Sequence, residues 1–259
     1  MKQIRLLMFP LLAMAAFAAE QKFDWQGAIA PGQTFEVKGV NGAVRAHASQ
    51  SGLAEVVATK RGRKNNPEEV RIDVIPHSGG ITICAVYPAA PGKPSNECKP
   101  GDGGRMNVRD NDVVVDFEVL VPADVKLVAK TVNGAVEVGG VTADIVATTV
   151  NGKVEVSGSR NVEATTVNGG VTASMGATTW TGEHKFTTVN GSINVELPES
   201  ASTEIHASTV NGSIHSDLPL IIKGKISSRS LDATIGEGGR SLKLTTVNGS
   251  IHLSRRKEQ

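Results

Sequence analysis

The sequence predicts an all-β protein, a single-stranded β-solenoid built from repeats of about 16 to 22 residues with an irregular N-terminal β region. Three observations predict it. The tetrapeptide Thr-Val-Asn-Gly recurs with its asparagine at Asn133, Asn151, Asn168, Asn190, Asn211 and Asn248, in steps of 18, 17, 22, 21 and 37 residues. Apolar and polar residues around it alternate at the strand period of two, as in Ile193-Asn194-Val195-Glu196-Leu197, and no strong amphipathic helix appears in the mature chain. Glycine numbers 28 while aromatics make up only 3% of the chain, which suits thin stacked backbone better than a globule filled with rings.

In chain order, the N-terminus reads as an export signal. Lys2 and Arg5 precede an apolar run from Leu6 to Phe17, and Ala16-Phe17-Ala18 supplies a small-residue cleavage site. Residues 1–18 are therefore expected to be a signal peptide cut after Ala18, leaving a periplasmic or secreted chain. The run is shorter than the ~20 apolar residues that a bilayer crossing requires, so no membrane span is expected. Residues 19–125 form the N-terminal β region, with short strands at Glu55 to Thr59 and Val70 to Ile75 and a Ser78-Gly79-Gly80 turn into Ile81 to Val86. Arg61 to Glu69 reads as a solvated charged loop, and Gly101-Asp102-Gly103-Gly104 and Asp110-Asn111-Asp112 as turn-rich linkers. Cys84 and Cys98 are the only cysteines. An oxidising compartment makes a disulfide between them the expectation, with two buried thiols as the alternative. The bridge would hold a loop containing Pro88, Pro91, Gly92 and Pro94. Residues 126–253 are the repeat solenoid, and 254–259 a charged tail.

Asn-Gly between β-prone residues commonly marks a two-residue hairpin, but a reversal here would put Val150 on one face with Lys153. Read straight through, Val150, Gly152, Val154 and Val156 share one face while Asn151, Lys153 and Glu155 share the other. Upstream, Ile145 and Ala147 alternate on a register that reaches the threonine instead. Inward parity is thus expected to switch between Thr and Val, as at a corner or bulge. Each unit becomes two short strands meeting at a bend, plus a variable return. Stacked about 4.8 Å apart, the asparagines are expected to form a self-bonding amide column. The 37-residue gap holds a degraded copy, Ser230-Leu231-Asp232-Ala233-Thr234-Ile235, which puts Asp232 in the asparagine place and divides the gap into 21 and 16. Gly39-Val40-Asn41-Gly42 has the same shape near the mature N-terminus. Gly134, Gly152, Gly169, Gly191, Gly212 and Gly249 follow their asparagines because neighbouring backbone leaves no room for a Cβ or because φ must be positive there. The Thr or Ser two residues before each asparagine is expected to form a second polar column.

The run Val115-Asp116-Phe117-Glu118-Val119-Leu120-Val121-Pro122, then Val125-Lys126-Leu127 and Thr131-Val132-Asn133-Gly134, resembles the bacterial "putative adhesin" family of domains of unknown function, exported β-solenoids also called toast-rack domains. The resemblance covers roughly residues 30 to 253. It implies the solenoid fold and an adhesin-like binding role, and it brings no catalytic residues.

Composition narrows the function classes. Lys and Arg total 27 against 26 Asp and Glu, a net charge of +1 without a basic stripe, which argues against nucleic acid as a partner. Gly101 to Gly104 lacks the helix and Lys-Ser of a phosphate loop, and neither G-x-S-x-G nor H-E-x-x-H occurs, so no catalytic, cofactor or metal residues are expected. His215 and His252 each stand four residues after an asparagine and face outward. With the Asp232 unit between them they would lie about 9.5 Å apart, too far to share an ion at metal–nitrogen bonds of about 2.0 Å. His47, His77, His184 and His206 read as solvated single residues. Glu137 and Glu155 share an outward register one rung apart, as paired carboxylates in a glycosidase would, yet no third acid or aromatic subsite accompanies them. Asp110 and Asp112 offer too few oxygens for Ca²⁺. Asn190, Asn211 and Asn248 begin Asn-Gly-Ser sequons whose use would break the column. The expected function is an exported, non-enzymatic, adhesin-like scaffold whose ladder faces contact an envelope protein or polysaccharide. The alternative is a polysaccharide-active β-helix enzyme, a lyase or hydrolase.

Overall fold

The computed structural model describes residues 20–158, 160–176, 182–223 and 227–256. The expected signal peptide lies outside the described residues, as do the last three residues of the charged tail. Among the described residues the chain is all β apart from a short 3-10 turn, Pro67–Glu69, and no helix is long and apolar enough to cross a membrane.

A repeat contributes one strand to each of two sheets. Ile145–Thr148 runs into the Thr149-Val150-Asn151-Gly152 bend and emerges as Val154–Gly158 in the other sheet. The next unit does the same with Val162–Asn168 and Val171–Met175. Successive units pair parallel and in register, Ile145 on Val162 and Ala147 on Ala164 in one sheet, Val154 on Val171 and Val156 on Ala173 in the other. Alternate residues point inward, so Leu127, Ala129, Ile145, Ala147, Val162, Ala164, Phe186 and Leu244 meet Val136, Val154, Val171, Ile193, Val195 and Leu253 in one continuous core. Most of these side chains are Val or Ala, which explains why so few aromatics suffice.

The outlier at Asn41 is the first rung. Thr34–Lys38 and Val44–Ala48 pair parallel with Lys126–Lys130 and Val136–Val141, so the first coil stacks directly on the second across a long insertion. That insertion adds a further pair of parallel strands, Gly80–Val86 beside Thr34–Lys38 and Val114–Val121 beside Val44–Ala48. In this added coil the four-residue corner is replaced by the disulfide-bearing loop 87–113. Antiparallel strands then close the end: Arg71–His77 on one sheet, Ala54–Arg61 and Glu20–Gly27 on the other. Both sheets therefore run without interruption from the N-terminal region into the repeats.

At the other end the coils do not stack in chain order. Ser241–Asn248 lies between Glu183–Asn190 and Thr203–Asn211, and Ile251–Arg255 lies between Ile193–Leu197 and Ile214–Ser216. The last coil is thus inserted beneath the one that precedes it. Ser230–Ile235, expected to carry a degraded rung, instead runs antiparallel along Thr203–Asn211, with Asp232 opposite His206. Asp232 therefore has no place in the amide column, which corrects the alignment of the 37-residue gap. The physical reason stands in the sequence: Ala233 occupies the glycine position, and its Cβ could not enter the corner. The strand keeps the inward alternation of Leu231, Ala233 and Ile235 without the bend.

A second correction concerns the corner itself. The valine of the motif does not face the core: Val132, Val150, Val167 and Val210 are 38%, 37%, 36% and 56% exposed. The threonine before it is the last inward residue, with Thr149, Thr166, Thr188 and Thr246 all buried. Parity is restored only at the residue after Gly-x, such as Val154, so the turn is spread over Val-Asn-Gly rather than placed between Thr and Val.

Candidate binding edge and the cavity at its head

Three columns meet along the corner, each fixed by in-register stacking. In the outermost, Nδ2 of Asn133 donates to Oδ1 of Asn41, and the pattern continues through Asn151, Asn168, Asn190, Asn248 and finally Asn211, every bond 2.8 Å long. At its head Asn41 Nδ2 points to the carbonyls of Asn111 and Val113, at 3.4 and 3.5 Å. The repeat asparagines are exposed. An amide has two N–H donors and two oxygen lone pairs, and the file uses one of each. Every interior rung accordingly presents one spare donor and one spare acceptor to solvent.

The threonines behave differently from the expected column. Their hydroxyls do not bond one another; each donates to the glycine carbonyl of the adjoining coil, as Thr149 to Gly134, Thr166 to Gly152, Thr188 to Gly169 and Thr246 to Gly191, at 2.7 to 2.9 Å. Those same carbonyls explain the glycines. A Cβ on Gly152, Gly169, Gly191 or Gly249 would overlap the carbonyl of the preceding coil's glycine, Gly134 and Gly212 are in the same position, and none of these six has positive φ. Outside the file a second hydroxyl row, Thr148, Thr165, Thr187, Thr245 and Ser208, stands in register on the outer sheet face.

Buried and exposed columns should respond unequally to substitution. Asn168→Leu removes two exposed amide bonds whose partners water can re-solvate, so a loss of about 1 kcal/mol is expected, the low end for an orphaned hydrogen bond. Thr166→Val leaves the half-buried Gly152 carbonyl without the donor of a buried threonine and should cost about 2 kcal/mol. Urea denaturation of both variants measures the difference. The reverse order would mean that the amide file, not the hydroxyl bridge, ties the corner.

At the head of the file, loop 87–113 folds over the outer sheet face and borders an open cavity of about 650 Å³, lined by Lys38, Asn41, Met106, Lys130, Val132 and Asn133 among others. The Cys84–Cys98 disulfide anchors the loop to the sheet. Asn96 knits it internally, donating to the carbonyls of Tyr87 and Asn107 and accepting from the Asn107 N–H. Behind the lining lysines sits a buried carboxylate: Glu36 accepts from Thr82 Oγ1 and the Gly101 N–H, each at 2.9 Å, and lies 3.7 Å from Lys38 Nζ and 3.5 Å from Lys130 Nζ. Burial lowers the Lys38 pKa, opposed by Glu36. Lys130 holds the exposed Asp102 carboxyl below its ordinary value through a 3.0 Å contact. Burial raises the Tyr87 hydroxyl, which donates to the Val113 carbonyl at 2.8 Å. The lysines are thus paired with carboxylates, and Met106 and Val132 stand exposed on the cavity wall, open to a guest.

The other candidates scatter. Lys153 sits between Glu137 and Glu155, at 3.2 and 2.7 Å, and Arg45 also reaches Glu137, so the two carboxylates form a solvated ion-pair row. Asp112 caps the backbone N–H groups of Lys64 and Asn65, while Asp110 pairs with Arg109. His77 contacts Thr82, and His206 contacts Asp232. His184, expected to be solvated, is buried, with Nδ1 accepting from the Val162 N–H. His215 and His252, expected two rungs apart, are neighbours because the last coil is inserted beside His215; their ring centroids lie 5.2 Å apart.

Fold and edge together define a two-sheet parallel β-solenoid with an exposed amide file. The sequence profile of the Toastrack DUF4097 family matches residues 116–254, more than half of the chain, and the chain belongs to that family. Solved structures similar to it include a "putative cell adhesion protein" from Clostridium sporogenes, 15% identical, with a TM-score of 0.43 over 91% of this chain and 100% of that one. A "putative adhesin" from Bacteroides fragilis is 10% identical, with a TM-score of 0.30 over 91% and 97% of the two chains. A "putative lipid binding protein" from Parabacteroides distasonis is 11% identical, with a TM-score of 0.28 over 92% and 97%. No curated protein matches the chain.

Proposed function

We propose that the protein is an exported, non-enzymatic binding scaffold that takes an extended segment of an envelope protein or polymer along its corner edge, in an adhesin-like role. The observation that carries this reading is the exposed file from Asn133 to Asn211, with its spare donor and acceptor on each interior rung, running out of a cavity with an apolar rim. The valine column and the Thr148 to Thr245 row run beside the file, so a strand bound along the edge would meet an amide, a valine and a hydroxyl again at each rung, about every 4.8 Å. Export accords with the N-terminal apolar run and with a disulfide between the only two cysteines.

The mature protein should retain an envelope component after crosslinking in the fraction of origin, and Thr165→Lys with Thr187→Lys, outward changes that spare the core, should abolish retention. A glycan array run beside a reducing-end release assay separates the readings. Retention indifferent to the two lysines would remove the edge as the site, and release of reducing ends lost on Glu137→Gln and Glu155→Gln would replace the scaffold with an enzyme. Reducing the disulfide should raise hydrogen exchange in residues 87–113 and leave the repeat strands protected, because the bridge ties only this loop to the sheet.

A further inference from the structure

The distal end of the solenoid, on the face opposite the hydroxyl row, carries a pair of exposed imidazoles created by the inserted coil. His252 on Ile251–Arg255 and His215 on Ile214–Ser216 are directly in register on neighbouring parallel strands. Their rings stack with an interplanar angle of 16° and centroids 5.2 Å apart. The next position along the same outward column is Asn194. We propose that this pair binds one divalent transition-metal ion, with His215 and His252 as its two protein ligands.

The chemistry follows from spacing and donor type. Imidazole nitrogens suit Cu²⁺, Ni²⁺ and Zn²⁺, at metal–nitrogen bonds of about 2.0 Å. The rings are one rung apart and stacked, so each must turn about its side-chain torsions to aim an in-plane nitrogen at a common ion, a reach that rings two rungs apart do not have. Ser213 supplies the support that a ligating histidine ordinarily has: its Oγ lies 2.7 Å from His215 Nε2, and Ser250 Oγ lies 3.3 Å from Ser213 Oγ. In the metal-bound form Nε2–H donates to Ser213, which orients the ring and leaves Nδ1 as the ligating nitrogen. Among the described residues no three of His, Cys, Asp and Glu gather around a common point. Water therefore completes the coordination, and an exchangeable site with the order Cu²⁺ above Ni²⁺ and Zn²⁺ is the consequence.

The ion would tie Ile214–Ser216, a short strand at the edge of its sheet, to Ile251–Arg255, its one neighbour in that sheet among the described residues. The test is calorimetric titration of the untagged mature protein with CuCl₂, NiCl₂ and ZnCl₂, without chelating buffers. One ion per chain is expected. His215→Ala and His252→Ala should each weaken Cu²⁺ binding at least tenfold, Ser213→Ala severalfold, and His47→Ala, an exposed histidine on a distant coil, not at all. The Cu²⁺ electron paramagnetic resonance spectrum should show coupling to two nitrogens, and amide exchange at residues 214–216 should slow on loading. Both histidines are exposed, so the variants should unfold at the same urea concentration as the parent. Equal affinities for the parent and both histidine variants, or no stoichiometric binding of any of the three ions, would overturn the site.

Discussion

Gly169→Ala is expected to destabilise the protein by about 3 kcal/mol or more, at the upper end of what overpacking costs. The new Cβ would overlap the Gly152 carbonyl, an atom fixed from two sides: it accepts from Thr166 Oγ1 at 2.8 Å and belongs to a coil whose Gly152 N–H donates to Asn168. Relief would require separating adjoining coils at the corner, and that breaks the hydroxyl bridge, the backbone ladder and the amide bond from Asn168 to Asn151 together. Gly140→Ala is the control. Gly140 has φ +67 with nothing within 4 Å of its added Cβ, so only backbone strain of about 1 kcal/mol applies. Urea unfolding compares the two, and similar small losses would show that the corner yields.

The stability curve should also bend in mild acid because of His184. Its ring has no accessible surface and stacks near Phe186, and burial pushes its pKa down to about 4 from an ordinary 6.5. The unfolded chain therefore takes up this proton first as pH falls. Stability from this group is complete above pH 6.5 and is lost between pH 6.5 and about 4, roughly 3 kcal/mol in all by linkage. His184→Asn keeps an acceptor for the Val162 N–H and does not titrate in this range. The variant should be weaker at pH 7.5 yet lose less between pH 7 and pH 4.5 than the parent does. Parallel pH profiles for the two proteins would show that His184 contributes nothing to acid sensitivity.

Much of the edge was legible because the repeat carries its own explanation. Asparagine at a fixed place, glycine immediately after it and threonine two residues before are what a stacked corner demands, and the structure joins them through the 2.8 Å amide bonds and the overlap that excludes a Cβ. Less was legible in the orientation of the valine. An apolar residue at the alternating position suggests the core, but the bend consumes an extra residue and turns Val150 outward. The threonine partner was also hidden, since a hydroxyl column and a hydroxyl-to-carbonyl bridge ask for the same residue at the same place. The cavity at the head of the file left no trace in the sequence beyond a Pro- and Gly-rich loop between two cysteines, because its walls come from strands far apart along the chain.

The sequence by itself determined the rung: two inward-alternating strands, a glycine corner and an asparagine able to bond its own kind. Only the tertiary structure decided the order of the rungs, with Asn248 bonded between Asn190 and Asn211, and with it the antiparallel place of Asp232 and the meeting of His215 with His252. The reason is the repeat's own regularity. Every rung offers the same donors, acceptors and apolar face, so local chemistry accepts any neighbour, and the choice among neighbours falls to the connecting segments and to packing across the whole stack.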